Sequence, residues 1–284
     1  MVGGCTVLYK RPRSFLAVVA VAFVTASAAA CQARRDTLDV LFIGNSYIYF
    51  NDLPAMVEEI SAALDGPVIH GVAHTRGGQT LRGHLDEGHL GKILMKGAAS
   101  GDDWDWVVLQ EQSTLGTRYD PTTGVLGDPA AFNRAVRELT GIIRGRGAKP
   151  ALYMTWAKEA FPGQAETLGD AYSSIGRELD LSVAPVGVAW AAVHQDRPNF
   201  NLYISDGSHP TAAGSYLAAC VIYATLTGRS PLGAPSELRG APWDFQGIVE
   251  SSSSTILVSL PAADAAFLQK AAWDAVTAQR NGAP

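Results

Sequence analysis

The chain has 284 residues, carries 22 Lys and Arg against 27 Asp and Glu for a formal net charge of −5, and is 47% hydrophobic. That length and apolar content suffice for a substantial core and exclude a disordered chain, while the acidic balance argues against nucleic acid as a partner. Three cysteines cannot make a disulfide framework in a protein of this size.

The first thirty residues read as an export signal. Lys10, Arg11 and Arg13 precede an apolar run from Phe15 to Val24, too short for a bilayer span of about 20 residues. The run passes into the small residues 25–30, which suit a signal peptidase. Ala28 to Cys31 resembles a bacterial lipobox, with Ala28 where Leu is usual. The resemblance implies that Cys31 is lipid-modified, becomes the mature N-terminus and tethers an envelope protein in the periplasm or on the outer face of a membrane. Ordinary cleavage near Ala30 would instead release a secreted protein. The membrane enters as a partner only through that anchor. Losing the leader removes three of the 22 basic residues and none of the 27 acidic ones, leaving −8 over 254 residues. Cys220 lies in an apolar run from Tyr216 to Tyr223 and reads as a buried thiol acting as a small hydrophobe.

Along the mature chain, Thr37 to Ile43 is a β-rich apolar run, and Asp52 to Leu64 has helical spacing, with Asn51 or Asp52 as cap and Pro54 in the first turn. A second strand spans Pro67 to Ala73, Gly77-Gly78 marks a tight turn, and a polar, helical stretch follows from Leu81 to Lys96. Trp104 to Leu109 is a third strand. After a loop over 113–129, Ala130 to Arg144 has amphipathic helix spacing and leads to a strand from Ala151 to Thr155. A helix from Gln164 to Leu179, a short strand from Leu181 to Pro185, and a helix from Thr211 to Leu226 closed by Gly228 complete the series. Alternating strands and helices predict a three-layer α/β/α sandwich around a mostly parallel, flavodoxin-like five-stranded sheet. Beyond Pro231 the pattern fades, except for a helix from Pro261 to Gln279. Residues 31–284 are read as one domain, with a core over about 37–230 and an extension over 231–284.

In an open parallel sheet the functional residues gather beyond the carboxyl ends of the strands. Gly44-Asn45-Ser46 follows the first strand, Gly77-Gly78 the second, Gln110 to Ser113 the third, and Asp206 to Thr211 precedes the last helix of the series. A serine becomes a nucleophile when an oriented base removes its proton. Ser46 and His209 fit that pair, with Asp206 three residues before His209 to hold its ring. The backbone N–H groups of Ser46 and Gly78 and the amide of Gln110 or Gln112 are candidate oxyanion donors.

These motifs, Phe42 to Ser46 with Asp206-x-x-His209-Pro210, resemble the SGNH (GDSL-type) hydrolase superfamily of ester hydrolases and acyltransferases. The resemblance covers roughly residues 37–230 and implies Ser46 as nucleophile, Asp206 and His209 as its partners, and Gly78 as the second-block glycine, with Gly77 the alternative. The usual Gly-Asp-Ser is Gly-Asn-Ser here. The usual third block, Gly-x-Asn-Asp, is replaced by Gln110-Glu111-Gln112. Carbohydrate esterases of the superfamily with Gln-Gly-Glu at this strand end favour Gln110 over Gln112 as amide donor. Tyr47 and Trp156 either form a sugar-stacking wall or pack the core.

None of His70, His74, His84, His89 and His194 has metal-ligand spacing, and a serine-esterase mechanism implies no metal or organic cofactor. His84 is notable for closely following the Gly77-Gly78 turn. The expected activity is a serine ester hydrolase deacylating, and above all deacetylating, carbohydrate or other small acylated substrates outside the cytoplasmic membrane. A lipase or lysophospholipase on the same triad is the enzymatic alternative, disfavoured by polar residues such as Asp120, Thr122, Thr123 and Asp128 in the 113–129 loop. A noncatalytic glycan-binding envelope lipoprotein is the alternative of another class.

Overall fold

A computed structural model describes residues 37–95, 103–113, 115, 129–243, 247 and 253–282. The export signal, Cys31 and most of the 113–129 loop lie outside the described residues. The first strand, β1 (Thr37–Gly44), sets the logic of the fold. Its side chains alternate between two cores: Val40 and Phe42 join one apolar cluster, Leu41 and Ile43 the other. A strand buried on both faces reads as a continuous apolar run and requires helices on each side.

The other sheet strands are β2 (Val68–Thr75), β3 (Trp106–Leu109), β4 (Lys149–Tyr153) and β5 (Ser182–Ala184), in the order β2-β1-β3-β4-β5. This is the flavodoxin-like order that the sequence predicts. β1 pairs parallel with β3, β3 with β4 and β4 with β5, with Ile43 beside Leu109 at the carboxyl edge. In β1–β2–β3 the chain reverses its direction of travel across the sheet, so the crevice beside β1 is the expected place for a site.

The helices divide between the faces. After the short α1 (Ser46–Tyr49), α2 (Leu53–Ala63) presents Met56, Val57 and Ile60 to the first cluster. α3 (Leu81–Asp86) and α4 (Leu90–Ile93) stand where the sequence predicts one continuous helix; Gly88, in the left-handed region at φ 69°, lies between them. α5 (Pro129–Arg144) and α6 (Gln164–Leu179) cover the second cluster with Phe132, Val136, Leu139, Leu168, Tyr172 and Ile175. α7 (Val186–Asp196) and α8 (Ala212–Thr227) lie on the first face, and Gly228 closes α8 at φ 77°.

Three further features depart from the sequence expectations. Of the two cap candidates, Asn51 and Asp52, the second stands at the N-cap position of α2, beside Ala55 N–H, but in an unusual conformation. Both adopt left-handed φ values, 55° and 51°; the Asn51 amide donates to the Pro210 carbonyl and Ser215 Oγ, and the Asp52 carboxylate accepts from Ala241 N–H. α7 is an additional helix. The extension holds an antiparallel pair, β6 (Glu237–Gly240) and β7 (Thr255–Ser259), before α9 (Ala262–Arg280). Leu268, Ala272 and Val276 of α9 enter the same apolar cluster as α8, and the residues from Leu38 onward form one compact unit.

Candidate active site

β1 passes into α1 through Gly44, Asn45 and Ser46, each with a separate task. Asn45 caps α1: its Oδ1 accepts from Tyr47 N–H at 3.2 Å, and its amide donates to the Gln79 carbonyl at 2.9 Å. That second bond ties the nucleophile turn to the Gly77-Gly78 turn. At position 44 a Cβ would stand 2.5 Å from Gln110 Oε1 and 2.7 Å from Ile48 Cδ1, so only glycine fits without displacement. Ser46 opens the helix and its Oγ lies 2.8 Å from His209 Nε2.

His209 Nδ1 lies 2.5 Å from Asp206 Oδ2. An ionised carboxylate only accepts, so Nδ1 carries the proton and Nε2 is left to accept one from Ser46. The other Asp206 oxygen accepts from the backbone N–H groups of Ser208 and His209, both at 2.9 Å. Partial burial raises the Asp206 carboxyl pKa, but the hydrogen bonds from the His209 ring and these two N–H groups outweigh it and hold the group below its ordinary value. Asp206 and His209 owe their placement to a tight turn. Ile204 N–H donates to the His209 carbonyl, Gly207 N–H donates to Ile204, and Gly207 takes φ 64°.

A column of aromatic rings stands behind this turn. Trp190 stacks on Trp156 at 4.0 Å between centroids and Trp156 on Tyr47 at 4.4 Å, both nearly parallel. Tyr47 meets the His209 ring edge-on, and Phe50 stacks on His209 at 4.4 Å. Trp156 Nε1 donates to the Ser208 carbonyl, and Ser208 Oγ shares hydrogen bonds with Tyr47 Oη at 2.7 Å and Lys158 Nζ at 3.1 Å. Trp156 is 1% exposed, so a sugar cannot stack on it. The structure makes it a support for the His209 turn and leaves Tyr47 alone of the two on the cleft wall.

The opposite wall is built from polar side chains. Gln110 is fully buried; its Oε1 accepts from Asn45 N–H at 2.9 Å, and its Nε2 donates to the Glu111 carbonyl. With both ends of its amide committed inside the protein, Gln110 does not face the cleft. Gln112 does. Glu111 accepts from Leu81 and Gln112 N–H groups, joining the start of α3 to the third-block loop. Burial pushes its carboxyl up to about 7, against the lowering effect of those two donors. Gly78 lines the cleft in the left-handed region at φ 69°, and none of the described residues crowds the place of a Cβ, so its conformation calls for glycine. Gly77 also lines the cleft.

The cleft, about 330 Å³, is bounded by Asn45, Ser46, Gly78, Gln112, Lys158 and His209, among others. Ser46, Asp206, His209, Gly78 and Gln112 therefore meet in one place, while Gln110 and Trp156 stand behind it. Lys158 and Ser208 belong to the site without having been singled out by sequence. Lys158 is 6% exposed, and burial lowers its ammonium pKa, partly offset by Asp206. Its position just past the end of β4 was the available signal. His74 and His84, ten residues apart, bring their rings within 5.0 Å of each other.

No family model and no curated protein sequence matches the chain. Among solved structures it is similar to a protein from Slackia heliotrinireducens described as a candidate SGNH hydrolase, at 27% identity and a TM-score of 0.53 over 67% of this chain and 99% of that one. A DUF4886 family protein from Bacteroides uniformis shares the fold at 18% identity and a TM-score of 0.59, over 85% of this chain and 95% of that one. An acetylxylan esterase from Geobacillus stearothermophilus shares it at 17% identity and a TM-score of 0.50, over 70% and 97%.

Proposed function

We propose that this chain, an SGNH-type carboxylic ester hydrolase, works through an acyl-enzyme on Ser46 and removes short acyl groups, acetyl above all, from carbohydrate or glycan esters outside the cytoplasmic membrane. The observation that carries the reading is the continuous relay in the cleft, Ser46 Oγ to His209 Nε2 at 2.8 Å and His209 Nδ1 to Asp206 at 2.5 Å. Reactive serine, base and orienting carboxylate are in hydrogen-bond reach before substrate binds.

In the proposed cycle His209 Nε2 takes the Ser46 proton as Oγ attacks the ester carbonyl carbon. Negative charge develops on the carbonyl oxygen, towards which Ser46 N–H, Gly78 N–H and the Gln112 amide serve as donors. The tetrahedral species collapses with loss of the alcohol, whose oxygen receives the proton from His209. Water then attacks the acyl-serine while His209 takes its proton, and a second collapse returns that proton to Ser46 and frees the carboxylic acid. Asp206 keeps the ring in one tautomer and stabilises the transient imidazolium.

The preference for short acyl groups is supported by a cleft at the small end of the ligand-site range, and by likeness in fold to an acetylxylan esterase. Release of p-nitrophenol from p-nitrophenyl acetate and from its longer acyl homologues tests the reading beside Ser46→Ala. Equal rates for wild type and variant would end it, and a preference for long chains would replace it with a lipase-like activity. The proposed tether at Cys31 rests on the sequence motif. Palmitate labelling of expressing cells should mark the wild type and spare Cys31→Ser; labelling of both would remove the anchor.

A further inference from the structure

Beside the nucleophile turn, His74 near the end of β2, His84 on α3 and Glu87 just after it converge. One ring nitrogen from each histidine and one carboxylate oxygen all lie within 4.8 Å of one another. Two ring nitrogens of the pair, His74 Nε2 and His84 Nδ1, are buried with no hydrogen-bond partner among the described residues. His84 is 1% exposed, and its Nε2 lies 2.7 Å from the Gly44 carbonyl oxygen. A carbonyl only accepts, so Nε2 carries the proton and Nδ1 keeps its lone pair. Metal-ligating histidines show this same division, with one nitrogen for the ion and the other N–H held by a carbonyl or carboxylate. Burial favours the uncharged ring for both histidines, the form that ligates.

We propose that His74, His84 and Glu87 form a binding site for a divalent transition-metal ion of the zinc class, which clamps the Gly77-Gly78 turn to the nucleophile turn. Two imidazoles and a carboxylate suit zinc, whereas calcium and magnesium prefer all-oxygen sets. Tetrahedral ligands 2.0–2.1 Å from an ion stand about 3.4 Å apart, so the donors must close by an ångström or so. Glu87 Oε1 accepts from Arg76 and Gln79 side chains, and Arg76 is 71% exposed and can turn to water. Placement gives the site a positioning task. His74 is four residues before Gly78, and His84 holds the carbonyl of Gly44, two residues before Ser46. The ion takes no part in the proton transfers of the ester cycle, and the site stands or falls independently of that activity.

Equilibrium dialysis of the metal-stripped full chain against Zn²⁺, with metal content measured by mass spectrometry, tests it. One ion per chain is expected, with a rise in melting temperature on binding. His74→Gln and Glu87→Gln should each weaken binding by at least the 10- to 100-fold that losing an outer-shell partner costs, with unchanged circular dichroism. These two positions are chosen because substituting His84 would also release Gly44. His194→Gln and His209→Ala should bind as the wild type does. The proposal is overturned if the wild type retains no zinc, if the His74 and Glu87 variants bind equally well, or if binding disappears in His209→Ala.

Discussion

The two walls of the cleft hold their catalytic groups by opposite physical means. On the acid–base side, His209 rests on stacked rings, with Trp190, Trp156 and Tyr47 behind its turn and Phe50 across its face. Those contacts are dispersion and apolar burial, which do not titrate. On the oxyanion side, Gln110, Glu111 and Asn45 hold the loops through hydrogen bonds to backbone groups. Such contacts are directional, costly to leave half-made, and in the case of Glu111 sensitive to protonation. The ring faces of His209 are thus packed against groups indifferent to pH, while Asp206 and the hydrogen bonds of Ser208 give its turn direction; the backbone donors across the cleft rest on directional bonds alone.

Both walls serve Ser46, so Ser46→Ala should have the largest effect, a loss of about 10⁵- to 10⁶-fold in kcat on p-nitrophenyl acetate. On the aromatic side, Trp156→Ala should cost about 3–5 kcal/mol in urea unfolding, by a similar amount at pH 6 and pH 8, with Trp156→Phe much milder. A small or strongly pH-dependent cost would show that the column does not carry the turn. On the polar side the two glutamines should separate. Gln112→Ala should lower kcat by about 10²- to 10³-fold and leave stability unchanged, whereas Gln110→Ala should destabilise by about 1–3 kcal/mol by stripping Asn45 N–H of its acceptor. If Gln110→Ala lost kcat alone, the assignment of these amides would be reversed.

Glu111 gives the polar wall its pH signature. Its carboxyl is raised in the folded state to about 7 from an ordinary 4.5, so between those values the folded protein binds more protons than the unfolded one. Stability therefore falls as pH rises from about 4.5 to just above 7, by up to about 3 kcal/mol from this group. Glu111→Gln should flatten that slope in melting curves taken across pH 5 to 8, and an unchanged slope would assign it elsewhere.

What could be read from sequence follows from what each residue's role depends on. Ser46, Asp206 and His209 announce themselves by type, spacing and position at strand ends, and the alternation of strand and helix segments announces a mostly parallel, layered sheet. The role of Gln110 depends on an amide packed against Gly44, a contact 66 residues apart that no local pattern records. Trp156 looks the same in sequence whether its faces are open or stacked. α7 starts directly after β5 with Pro185 at its N-terminus, leaving no loop to announce a new element. β6 and β7, four and five residues long, are separated by too many residues to read as a tight hairpin. The His74, His84 and Glu87 cluster joins a strand to the helix beyond it, outside any single-element motif.

The cross-link made by Asn51 has a consequence for how the protein reaches its working form. Its amide joins the nucleophile segment to Pro210 and Ser215, 159 and 164 residues away, beside a Ser46–His209 pair 163 residues apart. Contacts this distant along the chain form late, after the intervening loop entropy has been overcome. No fragment that ends before His209 can hold the relay, and one that ends before α8 lacks the Ser215 partner of Asn51. In refolding, ester hydrolysis should lag behind the return of helical signal, making catalysis a reporter of the last docking step.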